Sequence, residues 1–323
     1  MIKITTSAPG KLMLLGEHAV VYNHPCLVTA VNQRMKAMVE FMDSPTFELE
    51  APDVKVQDYK KPLSELGKGE IPKGAQFVEI AIKNFKEKYP FKNGVRVTTS
   101  SEFSSQFGFG SSSASTVCVV KALSELTGKK LSNKELFNIA FKTVLDIQGK
   151  GSGFDIAAAI YGGTLYFVTG GKTIEPLRVK ELPMVIGYSG VKADTVTLIN
   201  QVSEKAKEFP SVVDGIYNQI HELVDLAKEE LVKQDWKRFG MLMNFNQGLL
   251  VALGVSIPKL ASMIYASREA GAYAAKLSGA GGGDCMIAIA SSDKKKAVTN
   301  AITHVGGTVI DVSPNASGVR IEK

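Results

Sequence analysis

The stretch Phe107-Gly108-Phe109-Gly110-Ser111-Ser112-Ser113-Ala114-Ser115-Thr116 runs straight into Val117-Cys118-Val119-Val120-Lys121-Ala122-Leu123, whose apolar spacing continues helically to Leu126. A flexible linker has no reason to feed an amphipathic helix without a break. Two glycines instead permit close backbone approach, and a helix beginning near Ser111 leaves N–H groups pointing back into the loop. Those amides, at the positive end of a helix dipole, make an anion site of the kind phosphates occupy. The serine hydroxyls are suited to cap the helix or, for one of them, to ligate a magnesium ion that bridges phosphates.

The remaining chain bounds what this loop can serve. With 323 residues, 45% of them hydrophobic, it has material for one large or two medium domains. The net charge of +6 is modest and the lysines are scattered. The one run, Lys294-Lys295-Lys296, reads as a solvated helix face, so no nucleic-acid partner is expected. Cys26, Cys118 and Cys285 are far apart, which argues for a reducing compartment and against a disulfide frame or zinc site. The N-terminus alternates like a strand and lacks the apolar core of a signal peptide, and the long charge-free segments are rich in Gly, Ser and Ala. The expectation is a cytoplasmic globular protein with no membrane partner.

Read in order, residues 2–7 predict a strand, Ser7–Lys11 a turn, and Leu12–Leu15 a buried strand ending at Gly16-Glu17-His18. Lys11, Glu17 and His18 flank that strand, either as functional groups or as solvated ends and a hydrogen-bonded core-edge histidine. Cys26–Val31 and Met35–Met42 suggest two more strands, and residues 43–75 a surface excursion or a loop covering substrate. Helical spacing follows at Phe77–Phe85, a strand at Gly94–Thr99, and a helix at Asn133–Asp146. Strands, loop and helix in that order indicate a mixed α/β unit.

Two further stretches carry chemistry. Gly151-Ser152-Gly153-Phe154-Asp155 leads into an alanine-rich helix, and Asp155 fits either a helix cap or a general base at a reacting hydroxyl. Lys276-Leu277-Ser278-Gly279-Ala280-Gly281-Gly282-Gly283-Asp284-Cys285 precedes the strand Met286–Ala290. Each glycine there costs about 0.5–1 kcal/mol relative to alanine in a regular element, which favours a backbone that approaches a ligand over a plain hairpin. Between Met184–Tyr188 and about residue 275 the pattern turns to long helices, so units of 1–180 and 181–323 are expected. Thr308–Val312 and Gly318–Ile321 are expected to close the second unit's sheet, and Met241, Met243 and Met263 to fill its core. Neither glycine loop is a Walker A, because no Gly-Lys-Ser/Thr ends it, and the protein-kinase signatures are missing.

Together these stretches resemble the GHMP kinase superfamily and, within it, the mevalonate kinase family. Ser7-Ala8-Pro9-Gly10-Lys11 with Leu15–Tyr22 resembles the first motif, Gly108–Ala114 the phosphate loop and Lys276–Gly283 the third motif. The resemblance implies an α+β fold, with a left-handed βαβ unit in the N-terminal domain and a ferredoxin-like C-terminal domain. It implies ATP with Mg²⁺ along Gly108, Phe109, Gly110, Ser111, Ser112, Ser113, Ala114 and Ser115 and along Gly279, Ala280, Gly281 and Gly282. Asp155 is then the base for the mevalonate hydroxyl, with Lys11 lowering its pKa. Glu17, His18, Ser152, Gly153 and Thr195 hold substrate, and Ser112 binds the metal. The acidic metal ligand has its nearest match in Asp146. Ser104-Ser105-Gln106 replaces the prolines usual before the phosphate loop. Gly151–Asp155 and Gly283–Cys285 look more like phosphomevalonate kinases, which supply the alternative acceptor. A non-catalytic nucleotide sensor of the same fold is the third reading, and a homodimer is common among similar proteins.

Overall fold

In the computed structural model, which describes residues 2–322, the chain opens with one long strand, β1 (Lys3–Leu15). The turn expected at Ser7–Lys11 is corrected. Pro9 and Gly10 lie inside β1, where its pairing with β2 (Pro25–Met42) shifts register. A bulge absorbs the irregular pair without reversing the chain, and it re-aims the side chains that follow, beginning with Lys11. The strands expected at Cys26–Val31 and Met35–Met42 merge into the single β2.

Residues 43–75 are not the expected covering loop. They contain the hairpin β3 (Thr46–Ala51) and β4 (Val56–Pro62), which extends the same sheet. Phe47, Leu49 and Ala51 are buried alternately, an apolar period that the surrounding polar residues mask. β5 (Gly94–Ser101) pairs antiparallel with β2 and parallel with β3, and α1 (Gln76–Lys88) lies in the parallel connection. β6 (Thr164–Val168) pairs with β2 and forms a hairpin with β7 (Thr173–Leu177), turning where Thr169–Lys172 predicts. α2 (Ser111–Leu126) packs on β1 and β2, beside α3 (Asn133–Gln148) and α4 (Phe154–Tyr161). α3 starts at a full capping box between Ser132 and Glu135.

The second sheet has the order β11-β8-β10-β9 and is antiparallel throughout, with β8 (Met184–Tyr188), β9 (Ala274–Ser278), β10 (Cys285–Ile289) and β11 (Thr308–Ile310). Four helices connect β8 to β9: α5 (Thr195–Glu208), α6 (Pro210–Lys233), α7 (Trp236–Ala252) and α8 (Pro258–Glu269). α9 (Lys295–His304) connects β10 to β11, which completes the ferredoxin-like strand order. Met243 and Met263 are fully buried as expected of core filling, but Met241 is exposed.

The end of the chain corrects another expectation. β12 (Arg320–Ile321) leaves the second sheet and pairs with β1. Arg34 draws it there by donating to the carbonyls of Ser317 and Gly318, each at 2.8 Å. The two sheets meet where Ser278 Oγ donates to the Met13 carbonyl and accepts its N–H, both at 3.0 Å. A cavity of about 240 Å³ opens beside this seam. Among the described residues no helix is long and apolar enough to cross a membrane.

Candidate active site

The wall of the cavity begins with the glycine–serine loop. Gly108 and Gly110 have φ of 71° and 78°, the left-handed region that favours glycine. The first main-chain bond of α2 runs from the Ala114 N–H to the Gly110 carbonyl, leaving the N–H groups of Ser111, Ser112 and Ser113 without main-chain partners among the described residues. These three serines line the cavity, and Gly110 rather than a serine side chain occupies the cap position. The same loop sends Phe109, Ala114 and Ser115 inward. Phe109 plugs the core against Phe103, and Ser115 Oγ donates to the Ser112 carbonyl. Those three shape the loop and do not face the cavity.

Lys11 clasps this loop from β1. Its N–H donates to the Phe109 carbonyl at 3.0 Å and its Nζ to the Gly108 carbonyl at 2.9 Å, with the ammonium 5.1 Å from the Phe154 ring centre. Asp155 comes from the first turn of α4, whose cap position is Gly153. It therefore does not cap the helix, and the Ser152–Gly153 turn gives its carboxylate no hydrogen bond among the described residues. Gly110 sits between the two groups. A Cβ there would lie 3.2 Å from Lys11 Cε and 3.5 Å from Asp155 Cβ. The amino ends of α2 and α4 thus converge on one cavity with a cation and a carboxylate between them, an arrangement suited to moving an anion and a proton.

His18, Ser152, Gly153 and Thr195 line the same cavity. His18 Nε2 lies 2.9 Å from the Ala280 carbonyl, which can only accept, so Nε2 carries the proton and Nδ1 remains an acceptor. Burial holds its pKa below the ordinary value, opposed by that bond. Glu17 also reaches the wall, but both carboxylate oxygens are engaged, one by the fully buried Lys276 ammonium and the other by Asn246 Nδ2 at 3.3 Å. Burial pushes the Lys276 pKa down while Glu17 opposes it. This pair anchors β9, which leads into the glycine loop at 278–283, to the turn that follows β1.

That loop divides. Gly279 and Ala280 line the cavity, whereas a Cβ on Gly281 would collide with the Val255 carbonyl and one on Gly282 would lie 2.7 Å from Leu198 Cδ1. The latter two glycines serve packing. Asp146 is not brought to the site at all. It is exposed, and its Oδ2 accepts from Lys142 at 2.6 Å and Asn84 at 2.9 Å, while Val144 is the α3 residue that joins Gln148 in the wall. The helical turn decides this, because two positions along α3 point to different sides. Lys150, Lys192 and Asp284 also line the cavity and are new to the site. The one sequence signal for them is an aspartate directly after three glycines.

The GHMP kinases N terminal domain model matches residues 76–163, and the GHMP kinases C terminal model matches 227–307. The mevalonate kinase of Thermococcus sibiricus is 37% identical over 99% of this chain and 99% of its own. The crystal structure of Methanococcus jannaschii mevalonate kinase superposes with a TM-score of 0.81 at 25% identity, covering 97% of this chain and 98% of that one. Streptococcus pneumoniae phosphomevalonate kinase, solved with phosphomevalonate and AMPPNP, shares the fold with a TM-score of 0.80 at 20% identity, covering 97% and 100%. The chain therefore belongs to the GHMP kinases, ATP-dependent enzymes that phosphorylate small metabolites.

Proposed function

We propose that this chain transfers the γ-phosphoryl group of ATP to the primary hydroxyl of mevalonate. The observation that carries this reading is the placement of Lys11 and Asp155 on either side of Gly110, at the amino end of α2. The loop amides bind phosphate oxygens. Asp155 takes the hydroxyl proton as the acceptor oxygen bonds to Pγ, and the Pγ–O bond to ADP breaks with its electron pair leaving on ADP. Lys11 stabilises the charge that develops on the oxygens in flight. Little covalent chemistry falls to the protein, so positioning and charge carry the rate. His18, Ser152 and Thr195 orient the acceptor, and His18 Nδ1 is available to a hydroxyl.

Among the described residues no three His, Cys, Asp or Glu side chains converge as a cage for a metal ion. Mg²⁺ needs no such cage, because it keeps several waters and arrives with substrate phosphates. Ser112, which lines the cavity at the amino end of α2, is the residue that would hold it. When bound, it neutralises charge on the β- and γ-phosphates.

Phosphomevalonate is the second acceptor considered, favoured by Lys150 and Lys192 in the cavity wall. ADP release with Mg²⁺ and ATP, offering the two acceptors side by side, separates them. Turnover with mevalonate alone supports the main reading, and turnover with phosphomevalonate alone replaces it. Asp155→Asn should leave ATP binding nearly intact and lower turnover by about 10² or more. Unchanged turnover would remove Asp155 from the chemistry.

A further inference from the structure

Asp284 joins three loops at one point. It is a non-glycine residue at φ 55°, and it is buried. Its backbone N–H donates to the Val191 carbonyl at 2.7 Å and its carbonyl accepts from Ser189 at 2.9 Å. Its Oδ1 accepts the Ala193 N–H at 3.0 Å and lies 3.5 Å from Lys192 Nζ. The other face of the carboxylate lies so close to Gly108 that a Cβ there would collide with it. Gly108 is also the residue whose carbonyl receives Lys11. A buried carboxylate in a left-handed backbone is costly to keep, and here it ties the phosphate loop to the segment that leads into α5.

Lys192 is held differently from the other cations of the wall. The Lys11 ammonium is bonded to the Gly108 carbonyl, and Lys150 to Asn200 of α5. Lys192 makes one long ion pair, is half exposed, and lines the cavity together with Gly108 and Thr195. Its ammonium has three donors, so a long pair with Asp284 leaves donors for an incoming anion. Among the described residues α3 sends Val144 and Gln148 into the wall, and no carboxylate.

We propose that Lys192 contacts the phosphoryl group in transfer and that Asp284 is the positioning residue that aims it. The inference rests on the phosphoryl-transfer reading above. The phosphoryl group belongs to the nucleotide before transfer and to the acceptor after it, and a phosphate already on the acceptor is the other source of the same oxygens. The test is calorimetric binding of a non-hydrolysable ATP analogue and of ADP to the full chain and to Lys192→Met, Lys192→Arg and Asp284→Asn, together with steady-state rates on both acceptors. Lys192→Met should weaken the ATP analogue about tenfold while ADP changes less than twofold, and Lys192→Arg should recover most of the loss. Asp284→Asn should show the same bias, smaller, with its thermal midpoint reported alongside to separate misfolding from misaiming. A KM rise confined to phosphomevalonate, with analogue binding unchanged, would overturn the nucleotide contact and move Lys192 to an acceptor phosphate. Equal loss of analogue and ADP, or no loss of either, would overturn the proposal. Because binding is read without an acceptor, failure of both acceptors to turn over would count against the proposed reaction and leave this test standing.

Discussion

The two glycine-rich loops look alike as sequences and work differently in the fold. In the loop at 107–113, both glycines adopt left-handed φ at the start of α2, and three serine amides are left facing the cavity. In the loop at 278–283, Gly279 and Ala280 reach the cavity, but Gly281 and Gly282 give their missing side chains to Val255 and Leu198. The first loop uses its glycines to turn toward the cavity, and the second uses three of its four to close one domain against itself, since a Cβ on Gly283 would meet the Val191 carbonyl. Glycine density alone does not distinguish these uses, because both need the same absence of a Cβ.

The largest effect should come from the anchor of the second loop. Glu17→Gln leaves the Lys276 ammonium buried without its counter-charge, and removing one partner of such a pair costs about 3–5 kcal/mol. Denaturant unfolding measures it. A loss below about 1 kcal/mol would mean that the pair is hydrated and that the second loop is held by packing alone.

Alanine at matched positions sharpens the contrast. Gly281→Ala forces a methyl group onto the Val255 carbonyl at a left-handed φ of 79°, so a stability loss of about 2–3 kcal/mol is expected. Gly110→Ala, at φ 78°, meets the flexible Lys11 side chain and the Asp155 Cβ at ordinary or slightly tight distances. It should cost about 1 kcal/mol of stability from the left-handed backbone, yet lower turnover about tenfold or more by parting the cation from the base. If the two variants lose stability and rate in the same proportion, the division between a packing loop and a ligand loop fails.

The smallest effect concerns the contact that joins the second loop to the acceptor side. Burial keeps the His18 pKa below its ordinary 6.5, so the unfolded chain binds this proton more readily than the native one. Stability from neutral His18 is full above about pH 6.5 and is lost as pH falls from there toward the folded-state value. The thermal midpoint should drop between pH 7.5 and pH 5.5, and less so in His18→Gln, whose amide can still donate to Ala280. His24 is shifted down in the same sense by burial and by His221, so the difference between wild type and the variant is the informative quantity.

What the sequence determined by itself is what short-range chemistry enforces. A helix starting at Ser111 follows from glycines feeding an apolar period, and the start of α3 from Ser132 and Glu135 three residues apart. The change to long helices after β8 follows from a period that needs no partner to be seen. Lys11, His18 and Asp155 were legible as candidates because titratable residues stand beside glycines at expected element ends, and Thr195 only through the family resemblance.

Tertiary structure decided the rest. Pro9-Gly10 reads as a turn until the pairing of β1 with β2 turns it into a bulge, and residues 43–75 read as a loop until β5 offers β3 an edge. Asp146 and Val144 differ by two positions, yet only the packing of α3 settles which faces the cavity. Glu17 reads as a strand-end carboxylate, and only the fold shows a lysine 259 residues away buried against it. A local pattern records what a residue's neighbours in the chain require. Which charge is desolvated, which glycine meets a carbonyl, and which lysine is left with open donors depend on segments that meet only after the two sheets close on each other.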